Sequence, residues 1–281
     1  MKALYDNHNH SQFSFDGKRT SIEKSASFAA ESGLAGICFT DHYDFYVPSM
    51  KAAHENLVPE TFDIKEQQSE INRVNEKISL KKNDFQILKG IEIGLCFSKR
   101  EDIRNLLSCN SFDTVIASLH YFDETDPFWG DYYNGKSWKE AYGRYLEILY
   151  NEIIWLGDDF DIMGHFDYVA RYAPYPQASI LYKDFPDIME AILCLLAENG
   201  KALEINTKTY QSYNGRVPVL DSDILKRYRE LGGEVISLGS DSHDAERVGF
   251  HFDMFATKLL EAGFKYIAHY KNRRLVMTPI N

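Results

Sequence analysis

Six of the nine histidines in this 281-residue chain, His8, His10, His42, His120, His165 and His243, stand where short apolar, β-favouring runs end. Three carboxylates follow the same rule: Glu92 closes one such run, Asp241 follows another, and Asp16 lies in the segment after His10. Imidazole nitrogens and carboxylate oxygens, with no thiolate among them, suit zinc, manganese or ferrous iron. Gathering so many titratable groups in one cavity is costly unless cations neutralise the carboxylates and use the imidazole lone pairs. Nine side chains exceed what one tetrahedral ion can use, so the set implies two or three divalent metal ions, any of zinc, manganese or iron. No single motif carries this reading. His8-Asn9-His10 places two rings on one face of a strand, and Thr40-Asp41-His42 alone suits a polar turn. In Gly239-Ser240-Asp241-Ser242-His243 the small residues let backbone and ligands approach closely. The joint pattern decides, because ligands recur at the same end of six different runs.

The elements that must position these side chains alternate along the chain. Strands are expected at Ala3 to Asn7, Gly36 to Thr40, Gln86 to Ile93, Thr114 to Leu119, Phe160 to Gly164, Ala202 to Asn206 and Val235 to Gly239. Between the first two, Thr20-Ser21-Ile22-Glu23 has the form of a capping box, with Gly33 as the stop. Further helices are expected at Ile64 to Leu80, Ser137 to Leu156, Asp184 to Glu198, Asp221 to Leu231 and Phe252 to Ala262. Alternation implies an α/β fold with a mainly parallel sheet and right-handed crossovers. Seven strands suit a closed barrel better than an open sheet, and in a parallel barrel the C-terminal strand ends meet at one mouth. With no repeat or low-complexity linker, residues 1–281 read as one domain. Long loops, Tyr43 to Asp63 and Phe122 to Lys136, belong to the mouth.

Composition excludes other classes. The net charge of −11 and the lack of a basic run argue against a nucleic-acid groove. No run approaches the roughly 18 apolar residues of a membrane span, and the polar start lacks a signal-peptide core. Cys38, Cys96, Cys109 and Cys194 share no C-x-x-C spacing and read as reduced, buried thiols, so a cytoplasmic enzyme is expected.

The motifs, taken together and in order, resemble a known family. Asp6-Asn7-His8-Asn9-His10 with Asp16-Gly17, Thr40-Asp41-His42, Gly90-Ile91-Glu92, Ser118-Leu119-His120, Gly164-His165-Phe166-Asp167 and Gly239-Ser240-Asp241-Ser242-His243 look like those of the polymerase-and-histidinol-phosphatase (PHP) superfamily. The length and Arg247-Val248-Gly249 are similar to its stand-alone L-histidinol phosphate phosphatases. The resemblance implies a distorted seven-stranded β/α barrel and a trinuclear site. His8, His10, Glu92 and Asp241 would hold the first ion, and Glu92, His120 and His165 the second, with Glu92 bridging. Asp16, His42 and His243 would hold a third; some relatives carry histidine at the position of Asp16. Glu92, Asp241 and His243 are the residues expected at the reacting centre.

The reaction implied is hydrolysis of a small phosphorylated metabolite, L-histidinol phosphate, by attack of a metal-bridging hydroxide. Phosphate-ester hydrolysis also needs positive charge beyond the metals, and Arg171 and Arg216 are placed to fork onto phosphate oxygens. Asp41 and Asp167, each next to a ligand histidine, are candidates to accept an imidazole proton. The acidic, aromatic stretch Asp123 to Tyr133 suits a cationic substrate. Rival readings are another phosphoesterase or 3′-5′ exonuclease of the same superfamily, and a noncatalytic metal-binding barrel. The acidic balance opposes the nuclease, and none of the nine ligands is missing as degeneration would require.

Overall fold

The computed structural model describes residues 4–45, 61–80 and 84–280. The start of the first expected strand at Ala3 and residues 46–60 of the expected Tyr43 to Asp63 loop lie outside them. Strands β1 (Tyr5–Asn9), β2 (Gly36–Phe39), β4 (Gln86–Gly94), β5 (Thr114–Ser118), β6 (Ile162–Met163), β7 (Ala202–Asn206) and β8 (Ile236–Gly239) pair side by side, all parallel. These are the seven strands expected. Helices α1 (Ile22–Glu31), α2 (Ile64–Ser79), α3 (Arg100–Cys109), α4 (Trp138–Leu156), α5 (Tyr168–Tyr172), α6 (Pro186–Glu198), α7 (Ser222–Glu230) and α8 (Phe252–Glu261) fill the crossovers. The main core lies between these helices and the sheet, joining for example Ile22 and Ala26 of α1, Tyr142 and Leu149 of α4, and Ile192 of α6.

The ends of the seven-strand path meet where the strands finish. Asp241 N donates to His8 O and His10 N to Ser242 O, both at 2.9 Å, with a parallel bridge between Asn9 and Ser242. Lower down, the seam is splayed by a strand absent from the sequence reading. β9 (Tyr266–Lys271) pairs with β8 through Ala268 and Ser237, and the Asn7 amide spans the gap, donating to Ser237 Oγ, Leu238 O and Ala268 O. This wedge accounts for the distortion of the barrel. β9 turns back antiparallel into β10 (Arg274–Pro279), and the hairpin lies across the N-terminal end of the barrel. There Ala268 and Tyr270 pack on Ile116, Ile162, Ala202 and Val235, and the Tyr270 hydroxyl donates to Asp161 O.

Other departures are local. The sequence reading caps α1 with Thr20, whereas the cap is Ser21, which accepts from Lys24 N; Thr20 Oγ1 instead meets Ser25 Oγ at 2.7 Å. Glu23 faces Arg73 and Lys77 of α2. A complete capping box occurs at Ser137 and Glu140, opening α4. Helix α3 was not anticipated, because it is short and mostly polar, with Ile103 its one buried residue and Leu106 and Leu107 only partly covered. The cysteines are all free, but only Cys38 is buried; Cys109 ends α3 on the exposed side.

Candidate metal centre

Glu92 occupies the middle of the barrel mouth because β4 runs on past its neighbours and alternation turns Glu92 inward. Its two oxygens divide five imidazoles between them. Oε2 lies 3.1 Å from His8 Nε2, 3.5 Å from His10 Nε2 and 2.9 Å from His42 Nδ1. Oε1 lies 3.3 Å from His120 Nε2 and 3.0 Å from His165 Nε2. His42, expected to trail the second strand, starts a separate two-residue strand, β3 (His42–Tyr43), that pairs with β4 in register with Glu92. Asp241 Oδ1 lies 3.2 Å from His10 Nε2. Toward solvent, Asp16 Oδ2 stands 2.6 Å from His243 Nε2 and 3.9 Å from His42 Nε2.

All nine expected side chains therefore meet in one place. Four overlapping groups have donor atoms mutually within 4.8 Å: His10, Asp16, His42 and His243; His8, His10 and Glu92; His8, His165 and Asp241; and His42, Glu92 and His120. The outer group matches the expected third site with His10 added. The inner three divide the ligands differently from the expected pairing, since Asp241 groups with His165 and His42 with His120. The residues fit divalent metals on one direct observation: His8 Nε2, His10 Nε2, His42 Nδ1, His243 Nε2 and Glu92 Oε2 are buried in this cluster with no hydrogen-bonding partner, an arrangement that is costly unless a cation satisfies it.

Electrostatics point the same way. Burial alone would raise the Glu92 carboxyl, but His8, His42 and His120 outweigh it and hold the group well below the usual carboxylate range. Asp241 is likewise held low, burial being opposed by Lys208 and His10. His42 is driven up to about 9, Glu92 and Asp16 overcoming its burial. His10 is pushed far down by burial and by His243 and His42, leaving it a neutral ring with a free lone pair.

The groups that orient the ligands differ from the expected ones. Asp41 accepts from Ser11 N (2.5 Å), Ser11 Oγ (2.8 Å) and Gln67 Nε2 (2.7 Å), so it holds the loop after β1 and takes no imidazole proton. Asp167 bonds Tyr210, and burial raises it to about 6. The imidazole acceptors are instead Asp44, 3.0 Å from His120 Nδ1, and Glu204, 2.6 Å from His8 Nδ1. Gly94 leaves the space Asp44 occupies, since a Cβ there would overlap its carboxylate. A sequence signal for Glu204 existed: it is an acid inside the apolar run Ala202 to Asn206, where a buried charge needs a partner.

Of the expected phosphate-binding arginines, Arg171 lies beside the site. Its Nη1 donates to Lys208 O and its guanidinium sits 5.5 Å from the Tyr213 ring centroid, with Nε buried and unpartnered. Arg216 Nη1 donates to Tyr175 O at 3.4 Å. The cation on the ligands is Lys208, which sequence reasoning missed: Nζ lies 2.9 Å from Asp241 Oδ1 and 3.2 Å from His243 Nδ1. In the loop from 123 to 133, Asp123 pairs with Arg144 and buried Asp126 accepts from Tyr168 Oη, while Phe128 and Trp129 are exposed.

Comparison with known proteins extends this picture. Residues 6–208 match the PHP domain family. The histidinol-phosphatase of Lactococcus lactis subsp. lactis (strain IL1403) is 34% identical over 276 residues, covering 98% of this chain and 97% of that protein. A probable histidinol-phosphatase of Thermotoga maritima is 29% identical over 267 residues, covering 94% and 95%. The crystal structure of histidinol phosphate phosphatase from Lactococcus lactis, complexed with zinc, L-histidinol and phosphate, aligns with a TM-score of 0.83 at 32% identity, covering 97% of this chain and 98% of that one. With the family match spanning most of the chain, every motif in order and a relative alike over nearly its whole length, this chain belongs to the PHP domain family.

Proposed function

We propose that this chain is a single-domain, metal-dependent phosphomonoesterase that hydrolyses L-histidinol phosphate to L-histidinol and phosphate. The observation that carries the chemistry is the division of five imidazoles between the two oxygens of Glu92, the arrangement expected of a carboxylate bridging two ions. The substrate is supported by full-length likeness to histidinol-phosphatases.

His8, His10, Glu92 and Asp241 would hold one ion, Glu92, His120 and His165 a second, and Asp16, His42 and His243 a third. Such ions supply Lewis acidity toward phosphoryl oxygens and make water nucleophilic near neutral pH. The protein's own part is to place charge and exclude water. Lys208 directs an ammonium at the ligand layer from the loop after β7, and Arg171 backs it, so both would meet the phosphoryl oxygens as negative charge accumulates. Arg216, whose Nη1 donates to Tyr175 O, is assigned the outer edge of the substrate site. Exposed Phe15, 5.5 Å from the His42 ring, with Phe128 and Trp129 offers aromatic faces for the imidazole of the substrate.

Protein purified without chelator should contain two or three divalent ions per chain by elemental analysis and should release phosphate from L-histidinol phosphate. It should do so in preference to a nucleoside 3′,5′-bisphosphate or short single-stranded DNA. Cleavage of DNA alone would replace this reading with the exonuclease, and metal binding without any phosphoester turnover would replace it with the noncatalytic barrel.

A further inference from the structure

Glu204 is buried in the middle of β7 and makes two short hydrogen bonds, each with a different metal-ligand residue. Oε1 faces His8 Nδ1 at 2.6 Å, and Oε2 accepts from the main-chain N–H of His165 at 2.6 Å. A carboxylate is an acceptor only, so the proton of His8 must reside on Nδ1, which leaves the Nε2 lone pair directed toward Glu92 Oε2. The second bond sets the backbone of His165 at the turn after β6, while the Tyr145 hydroxyl holds His165 O from the other side at 3.3 Å. Space for the carboxylate comes from the neighbouring strand: a Cβ at Gly239 would overlap both Glu204 Oε1 and His8 Cβ.

The two residues so held face different oxygens of the central carboxylate. His8 addresses Glu92 Oε2 and His165 addresses Glu92 Oε1. By contrast, Asp44 makes its hydrogen bond to His120 alone, with His42 Nδ1 farther off at 3.6 Å. We propose that Glu204 is a positioning residue that couples the two inner metal subsites, because one carboxylate orders a ligand of each. This rests on reading the cluster as a metal centre in which, as proposed above, His8 serves the ion on Glu92 Oε2 and His165 the ion on Oε1, rather than both sharing one ion with Asp241. Losing the carboxylate should loosen both subsites together, whereas losing Asp44 should loosen chiefly one.

The test is zinc binding by chelator competition, with ions counted by elemental analysis, on wild type, Glu204→Gln and Asp44→Asn. Glutamine has a single acceptor oxygen and can serve His8 or His165 but not both. Glu204→Gln is expected to weaken two ions in parallel by roughly tenfold to a hundredfold, and Asp44→Asn to weaken one. A purely structural role would lower the melting temperature of the metal-free protein and leave the zinc affinities of the folded variant alone. Unchanged zinc affinities in Glu204→Gln, or weakening of a single ion with the other intact, would overturn the assignment. Should Glu204→Gln fail to fold, Glu204→Asp, which keeps the charge but is too short to reach both partners, decides by the same two-ion criterion. Wild-type protein that takes up no zinc, manganese or iron would remove the metal reading itself, an outcome distinct from failure of the coupling.

Discussion

The ligands were legible as a set because His, Asp and Glu recur together at strand ends, and strand ends can be read from hydrophobic runs. Glu92 is the most exposed to test. Glu92→Gln removes the charge that five imidazoles surround, so metal content should fall together with phosphate release; full metal occupancy in an inactive variant would contradict its place among the ligands. Lys208 was not legible, since a lysine in a loop is ordinarily a solvated surface group. Only the fold shows that this one ends against Asp241. Lys208→Met should raise KM for L-histidinol phosphate at least about tenfold, the loss of one hydrogen bond to a charged group of roughly 1.5–3 kcal/mol, with metal content unchanged. Depleted metal would show that Lys208 secures Asp241 rather than phosphate. The acceptors Asp44 and Glu204 escaped for another reason. Proximity in sequence favoured Asp41 and Asp167, whereas an imidazole's outer nitrogen points away from its own loop and meets side chains of other segments.

At the scale of elements, the strands and most helices followed from periodicity, but the β9–β10 hairpin did not. Its turn residues Asn272 and Arg273 both have positive φ, 50° and 61°, as a two-residue hairpin turn requires. Sequence announces such a turn most clearly as Asn-Gly, and Arg273 hides it; the Arg273 side chain is spent on Asp161 instead. The hairpin also carries His269, stacked on Tyr5 with ring centroids 3.7 Å apart. Burial, aided by Lys271, lowers His269 to about 4, against about 6.5 in an unfolded chain. Between those values the unfolded state binds more protons than the folded one. The contribution of a neutral His269 is therefore complete above pH 6.5 and lost as pH falls toward 4. His269→Phe keeps the stack without the titration, so the stability of wild type relative to this variant, measured by urea unfolding, should decline from pH 7 to pH 4.5. A constant difference would mean that His269 titrates normally.

Across the whole molecule, the barrel was anticipated from the count of strands and the common end of the ligands, and its distortion from the family resemblance; the cause of that distortion was not, because the wedge comes from a hairpin that periodicity missed. Ligands drawn from β1, β3, β4 and the ends of β5, β6 and β8 coincide only in the folded chain. Metals bound there would favour the folded state by mass action. Chelation should thus lower the melting temperature, and added zinc should restore it; equal melting with and without chelator would show that the mouth forms independently of its ions.

The meeting of β1 with the segment after β8 has one more consequence. His8 and His10 stand on one bank of that join and Asp241 and His243 on the other, so cations spanning them would act as a clasp on a cylinder held at its rim by few amide bonds. The His10 and Asp241 amides should then exchange with deuterium more slowly once the clasp is fastened, reporting how often the wall parts.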